Sequence, residues 1–282
     1  MESYKNKEEH LLRGLKEMSG IFFQNAATSL PIHFIPEIMP MKRDHKRAIS
    51  IAKDVNVPII AVSLQNFFRG THETLLLRKA RKNGLHQFFD YSGEIVLTTD
   101  VKDRLCDRFT ENLNYFRAIV EQLKPNYLTT LDAYTYANIP AGIARIKMLE
   151  AQLSMRHLMK LDCKIVGLAL GATPDQVYGY VDVLTKLGCK IIAHPVYEFR
   201  KKADNDSIRW RIWLSRKLGA KVLLLSCSPG FTYRMRVYSD YYSTWSWFSS
   251  VSSKDRNAHR KRRANLLRMI ELAKKCSEQA KL

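Results

Sequence analysis

Short, mostly apolar runs rich in β-branched residues recur along this chain, and the segments between them have helical periodicity. The runs begin with Pro31-Ile32-His33-Phe34-Ile35 and Val57-Pro58-Ile59-Ile60-Ala61-Val62-Ser63. Residues 87–90, 127–132, 164–170, 189–194 and 221–226 follow, with a weaker candidate at 237–243. They are continuous rather than alternating, as strands are when both faces are buried, and helices are what bury both faces. Amphipathic stretches at 42–54 and 102–123 supply connecting helices. Thr173-Pro174-Asp175-Gln176 and Asp206-Ser207 are two further helix starts, and Gly188 and Gly219 stand between a helix end and the next strand. Eight such units in 282 residues predict a single (β/α)8 TIM-type barrel, a fold that takes about 250 residues. An open doubly wound sheet is the alternative, but no Gly-x-Gly-x-x-Gly follows a strand. The expected division is a barrel over 1–252 and a basic helical extension over 253–282.

Two of the runs end in an acid, Phe88-Phe89-Asp90 and Thr130-Leu131-Asp132. A carboxylate gains nothing inside a strand, because burying its charge costs several kcal/mol unless it is paired. In parallel α/β folds ligands collect where strands end, so both acids are candidate site residues. The other reading is that each caps a helix or turn. The remaining strand ends offer Tyr134, Gly171, His194, Ser226-Cys227-Ser228, and Ser239-Asp240-Tyr241-Tyr242-Ser243-Thr244. His194 reads equally well as a buried histidine whose bonds are satisfied.

Lys plus Arg number 46 and Asp plus Glu 27, a net charge of +19. That excess points to a polyanionic partner, nucleic acid first and an anionic membrane second. No run of 18 or more apolar residues is present, and the first residues lack the apolar core of a signal peptide. The five cysteines are scattered without a Cys-x-x-Cys, which suggests a reduced, cytoplasmic protein without a structural metal. Basic residues concentrate at Arg200-Lys201-Lys202, with Arg209, Arg211, Arg216 and Lys217 beyond, and at Arg260-Lys261-Arg262-Arg263. Both clusters are expected along a phosphate backbone. Trp210 and Trp213 between them read as core anchors.

In order and spacing, the strand-end residues over about 85–250 resemble the tRNA-guanine transglycosylase superfamily. Phe88-Phe89-Asp90-Tyr91-Ser92-Gly93 is similar to that family's Asp-Ser-Gly-Gly-Phe-Gln motif, and Leu131-Asp132 to the strand end that reads the base. Leu170-Gly171 keeps the Gly of a Gln-Gly pair, and His194-Pro195 stands where a Gly-Gly strand end falls. Ser239-Asp240-Tyr241-Tyr242-Ser243 resembles Gly-x-Asp-x-Phe-Asp-Ser, with Ser243 at the nucleophile's position. The family's Cys-x-Cys-x-x-Cys zinc site is absent, so the likeness is to the short phage-type branch.

The resemblance implies exchange of guanine for a free 7-deazaguanine base in DNA, without metal or cofactor, in the host cytoplasm if the chain is phage-encoded. A tRNA substrate and a catalytically silent nucleic-acid-binding barrel are the alternatives. In this scheme Asp240, or else Ser243, serves the sugar. Asp132 holds the guanine edge, and Asp90 contacts the base or acts as general base. Gly171, His194 and Tyr134 line the substrate. The scheme requires the acids to meet at one mouth of the barrel.

Overall fold

The computed structural model describes residues 2–18, 20–40, 45–135, 139–196, 204–227 and 239–279. Its centre is a nearly closed barrel of eight parallel strands: β1 (Phe34–Pro36), β2 (Ile59–Ser63), β3 (Glu94–Thr98), β4 (Tyr127–Thr129), β5 (Lys164–Leu168), β6 (Ile191–Pro195), β7 (Lys221–Leu225) and β8 (Tyr241–Thr244). Neighbours follow one another around the ring, from β2 through β3 to β8 and then β1. The ring closes where the Ile38 N–H donates to Ala61 O at 2.8 Å, just beyond β1. The expected single-domain (β/α)8 barrel is therefore what forms.

The helices form the outer layer: α1 (Glu2–Lys16), α2 (His45–Asp54), α3 (Leu75–Phe89), α4 (Asp103–Glu111), α5 (Leu113–Leu123), α6 (Ala141–Leu158), α7 (Pro174–Lys186), α8 (Asp204–Lys217), the short α9 (Ser246–Ser249) and α10 (Ala258–Gln279). Ile59, Ile60, Val62, Ile95, Val96, Leu97, Ile191, Ile192, Val222 and Leu223 are buried to within 2% of completely. Each such side chain contributes about 1.5–3 kcal/mol on leaving water, which is why the strand sequences are apolar on both faces. The start read at Thr173 is a capping box: its Oγ1 accepts the Gln176 N–H, and Gln176 Oε1 accepts the Thr173 N–H.

Residues 23–30 cross beneath the N-terminal ends of the strands. The Phe23 N–H donates to Leu187 O (2.7 Å), the Ala27 N–H to Ile165 O (2.8 Å) and the Leu30 N–H to the Tyr241 hydroxyl (3.3 Å). Asn25 Nδ2 donates to Leu161 O (3.1 Å) and Cys163 O (2.8 Å). That end is thereby covered, and access to the barrel axis is from the C-terminal end.

Three expectations need correction. Residues 87–90 are not a strand. They end α3, where Phe88 packs edge-on against Phe67 and Phe89, and the strand of this unit is the next apolar run, β3. Residues 102–123 form two helices, because Asn112 leaves helical geometry and its side chain accepts the Tyr115 N–H to start α5. The basic C-terminal helix is not an appendage in its packing. It lies on α2 and β1 with Leu266 and Ala273 buried, and the Tyr242 hydroxyl donates to Met269 O at 3.2 Å.

Candidate active site at the C-terminal mouth

A cleft of about 970 Å³ opens at the C-terminal ends of β1, β2, β3, β7 and β8. Its wall contains Glu37 and Met39 after β1, Ser63 and Gln65 around the end of β2, and Asp100 to Leu105 after β3. Ser226 and Cys227 after β7 and Trp245 after β8 complete it. The site lies where strands end and helices begin, as ligand sites do in barrels of this kind.

Glu37 is the acid that the sequence reading missed. Its Oε1 accepts the Ser243 hydroxyl at 2.7 Å, the Ser226 N–H at 2.8 Å and the Ser226 hydroxyl at 3.1 Å. Burial pushes the Glu37 carboxyl above its ordinary value, and the bonds from Ser243 and Ser226 oppose that rise without overcoming it. Ser226 has a φ of +57°, a left-handed conformation that costs a non-glycine residue about 1–2 kcal/mol. The charge-assisted bonds to Glu37 offset that cost. Trp247 Nε1 donates to the Glu37 carbonyl at 3.4 Å, and Trp245 stacks on Phe248 with ring centres 4.6 Å apart.

Asp132 is placed as the sequence suggested, at the mouth just beyond β4. Its Oδ2 accepts the Val101 N–H at 3.3 Å and its Oδ1 the Ala133 N–H at 2.8 Å. It thus ties the loop after β4 to the loop carrying Asp100, whose carbonyl accepts the Ser63 hydroxyl at 3.2 Å. Cys106 on α4 reports how acidic this corner is. Burial pushes its thiol up, and the nearby carboxylates of Asp132, Asp103, Asp107 and Asp100 push it further. The exposed Lys102 and Arg104 stand at the rim. Among the described residues no three His, Cys, Asp or Glu side chains are grouped as metal ligands would be.

None of the sequence candidates for catalysis or substrate binding, Asp132 included, lines this cleft. Asp90 caps the C-terminus of α3 at φ +49°, is 92% exposed, and accepts from Lys53 Nζ at 2.6 Å, which lowers its carboxyl. It belongs to the opposite end of the barrel, before β3. The Asp-Tyr-Ser-Gly motif there is architectural. Tyr91 donates its hydroxyl to Val57 O, and a Cβ on Gly93 would lie 2.7 Å from Pro58 O. Asp240 also lies at that end, before β8. Its Oδ2 accepts the Val222 N–H at 2.8 Å and faces Arg216 Nη2 at 3.5 Å, while its carbonyl meets His33 Nδ1 at 2.7 Å. Ser243 is near the mouth, but it is completely buried behind Glu37.

Gly171 turns the chain into α7 at φ +125°, where a Cβ would stand 2.7 Å from Val177 N. Its N–H donates to Thr135 Oγ1 (2.9 Å), and its carbonyl accepts from Arg211 Nη2 (2.8 Å). His194 points outward from β6 to Ser215 on α8, with Nε2 2.9 Å from the hydroxyl. Burial and the nearby Arg211 lower its imidazole to about 3. Tyr134 sits against α4 and α6, donating to Asp107 at 3.4 Å beneath Lys147. None of these three lines the cleft, and the contacts of each are with neighbouring elements of the barrel.

Arg200, Lys201 and Lys202 lie outside the described residues. In the second basic cluster Arg260, Lys261 and Arg263 are exposed, with Lys261 paired to Asp255 at 2.5 Å. Arg262 is corrected to a structural role: it is 2% exposed, donates to Phe248 O and Val251 O, and stacks 3.7 Å over the Phe248 ring. Trp210 packs against the core as expected, whereas Trp213 is 55% exposed beneath Lys217. No protein-family model and no curated protein matches this chain.

Proposed function

We propose that this chain is a nucleic-acid guanine transglycosylase, acting in DNA and exchanging guanine for a free 7-deazaguanine base in the cleft at the C-terminal mouth. The observation that carries this reading is the placement of Asp100 and Asp132. They follow neighbouring strands; Asp100 lines the cleft with Glu37, and Asp132, which is not on the cleft wall, reaches it through its bond from the Val101 N–H. A guanine presents N1–H and N2–H donors on one edge, and an ionised carboxylate is an acceptor with no competing donor. Asp132 and Asp100 hold that edge. The expected meeting of Asp90, Asp132 and Asp240 at one mouth does not occur, since Asp90 and Asp240 stand at the N-terminal end, so the reading rests on Asp132 and Asp100 instead.

The cleft volume falls in the range of sites that enclose a small ligand, and Trp245 supplies an aromatic surface for a base. Breaking the C1′–N9 bond builds positive charge on the sugar, which a cleft rich in carboxylates stabilises. A base taken from a duplex must be flipped out, at a cost of a few kcal/mol. The net charge of +19 favours the phosphates that flank it.

The test is incubation of the protein with labelled guanine and either duplex DNA or tRNA, followed by counting of label in the polymer. Label is expected in DNA. Label in tRNA alone would change the substrate. Salt-sensitive binding with no label in either would leave a silent binding barrel.

A further inference from the structure

Glu37 braces Ser226 and Ser243, and it does so at the wall of the cleft. Among the described residues it has no Lys or Arg partner, yet it sits partly buried at the end of β1 with three donors on Oε1 and the cleft beside it. A buried carboxyl without a cation costs several kcal/mol relative to an apolar or amide side chain of the same size. The same bonds hold Ser226 at its positive φ. A strained residue and a carboxyl with no cation partner among the described residues meet at the wall of a cleft, which points to chemistry as well as to stability.

We propose, resting on the base-exchange reading above, that Glu37 is the proton-transfer group of the reaction and that Ser243 and Ser226 are its positioning residues. The donors fix Oε1, so Oε2 is the oxygen that carries the proton. As the C1′–N9 bond breaks, its electron pair passes into the purine, and the Oε2 proton moves to N7 of the departing guanine. The carboxylate left behind then takes the N9 proton of the incoming base, while the N9 lone pair forms the new bond to C1′. Glu37 ends protonated, as it began, and no further reagent is consumed. Burial raises the Glu37 carboxyl above its ordinary value, the direction this role needs. The other charged groups on the cleft are Asp100 and Lys102 on the loop after β3 and Asp103 and Arg104 at the start of α4.

The experiment compares two duplex oligodeoxynucleotides, one with guanine and one with 7-methylguanine at the exchanged position. The methylated base already carries its positive charge and leaves without a proton. Glu37→Gln is expected to lower exchange of guanine about 100-fold or more, as for loss of a general acid, while retaining most release of 7-methylguanine. Equal loss on both oligonucleotides, or no loss on either, overturns the assignment of Glu37 and leaves the base-exchange reading intact. No exchange or release by the wild-type protein on either oligonucleotide overturns that reading, and this inference with it. Should Glu37→Gln fail to fold, Ser243→Ala decides. Losing a donor to the ionised form raises the Glu37 carboxyl further, so the fall in rate at alkaline pH moves to higher pH. An unmoved limb rejects the assignment.

Discussion

The two ends of the barrel use acids differently. At the N-terminal end Asp90 meets Lys53 across open solvent, and Asp240 caps the first residues of β7 with Arg216 nearby. These bonds join structural elements to one another. At the C-terminal end Glu37 is bonded only to hydroxyls and a backbone N–H, and Asp132 only to backbone N–H groups, among the bonds described. Both stand at the open mouth beside the cleft that contains Asp100. An acid's place relative to the direction of its strand separates the two kinds, and residue type does not.

The sharpest test of that contrast is on activity. Asp132→Asn keeps the shape but turns one acceptor into a donor facing the guanine edge, so exchange should fall by about 100-fold, the scale of two lost charge-assisted bonds in a closed site. Asp90→Asn should leave exchange within about twofold, since surface pairs such as Asp90–Lys53 contribute little. Parallel losses in the two variants would break the distinction between the ends.

The basic cluster on α10 contains a similar contrast between neighbours. Arg262→Ala removes two bonds to backbone carbonyls and a stacked guanidinium from a buried position. A destabilisation of about 2–4 kcal/mol is expected, read as a lower urea midpoint. A variant as stable as wild type would return Arg262 to the set of surface cations.

His194 predicts an acid-sensitive outer layer. The unfolded imidazole titrates near 6.5 and the folded one near 3, so below pH 6.5 the unfolded chain binds a proton that the folded chain does not. Its contribution is complete above about 6.5 and is lost as pH falls from there toward about 3, by about 1.4 kcal/mol per pH unit. Between pH 7 and pH 5 this amounts to about 2 kcal/mol. In His194→Asn that share of the pH dependence should disappear. An unchanged difference between urea midpoints at pH 7 and pH 5 would assign the sensitivity elsewhere.

The fold was legible because burial on both faces writes itself as continuous apolar runs, and seven of the eight were located. The eighth was displaced. Phe88 and Phe89 are as apolar as a strand, but they cluster with Phe67 at the end of a helix. The true strand, Glu-Ile-Val-Leu-Thr, begins with a half-exposed acid four residues later. A strand read at 87–90 makes Asp90 a strand end, whereas Asp90 precedes β3 and Asp100 follows it. Asp132 was legible because its run leads straight to it. Glu37 was not, because β1 is three residues long and ends in Pro36, and nothing local signals that Ser226 and Ser243, some 190 and 206 positions away, will donate to it.

The smallest expected effect is on the exposed members of the basic cluster. Arg260 and Arg263 are exposed, Lys261 is already paired with Asp255, and Arg262 is turned inward. At most two phosphate contacts can therefore come from the two arginines that have no ion pair among the described residues, not four from the run of cations. Each contact adds about 0.9 to the steepness of log affinity against log salt on duplex DNA. The double change of Arg260 and Arg263 to Gln should flatten that slope by up to about 2 and leave the urea midpoint where it was. Adding Lys261→Gln should flatten it little further, since Asp255 already neutralises that ammonium. A slope unaltered by the double change would place the phosphate track on another face of the barrel. A slope that flattens as much again with Lys261→Gln would mean that DNA displaces Asp255.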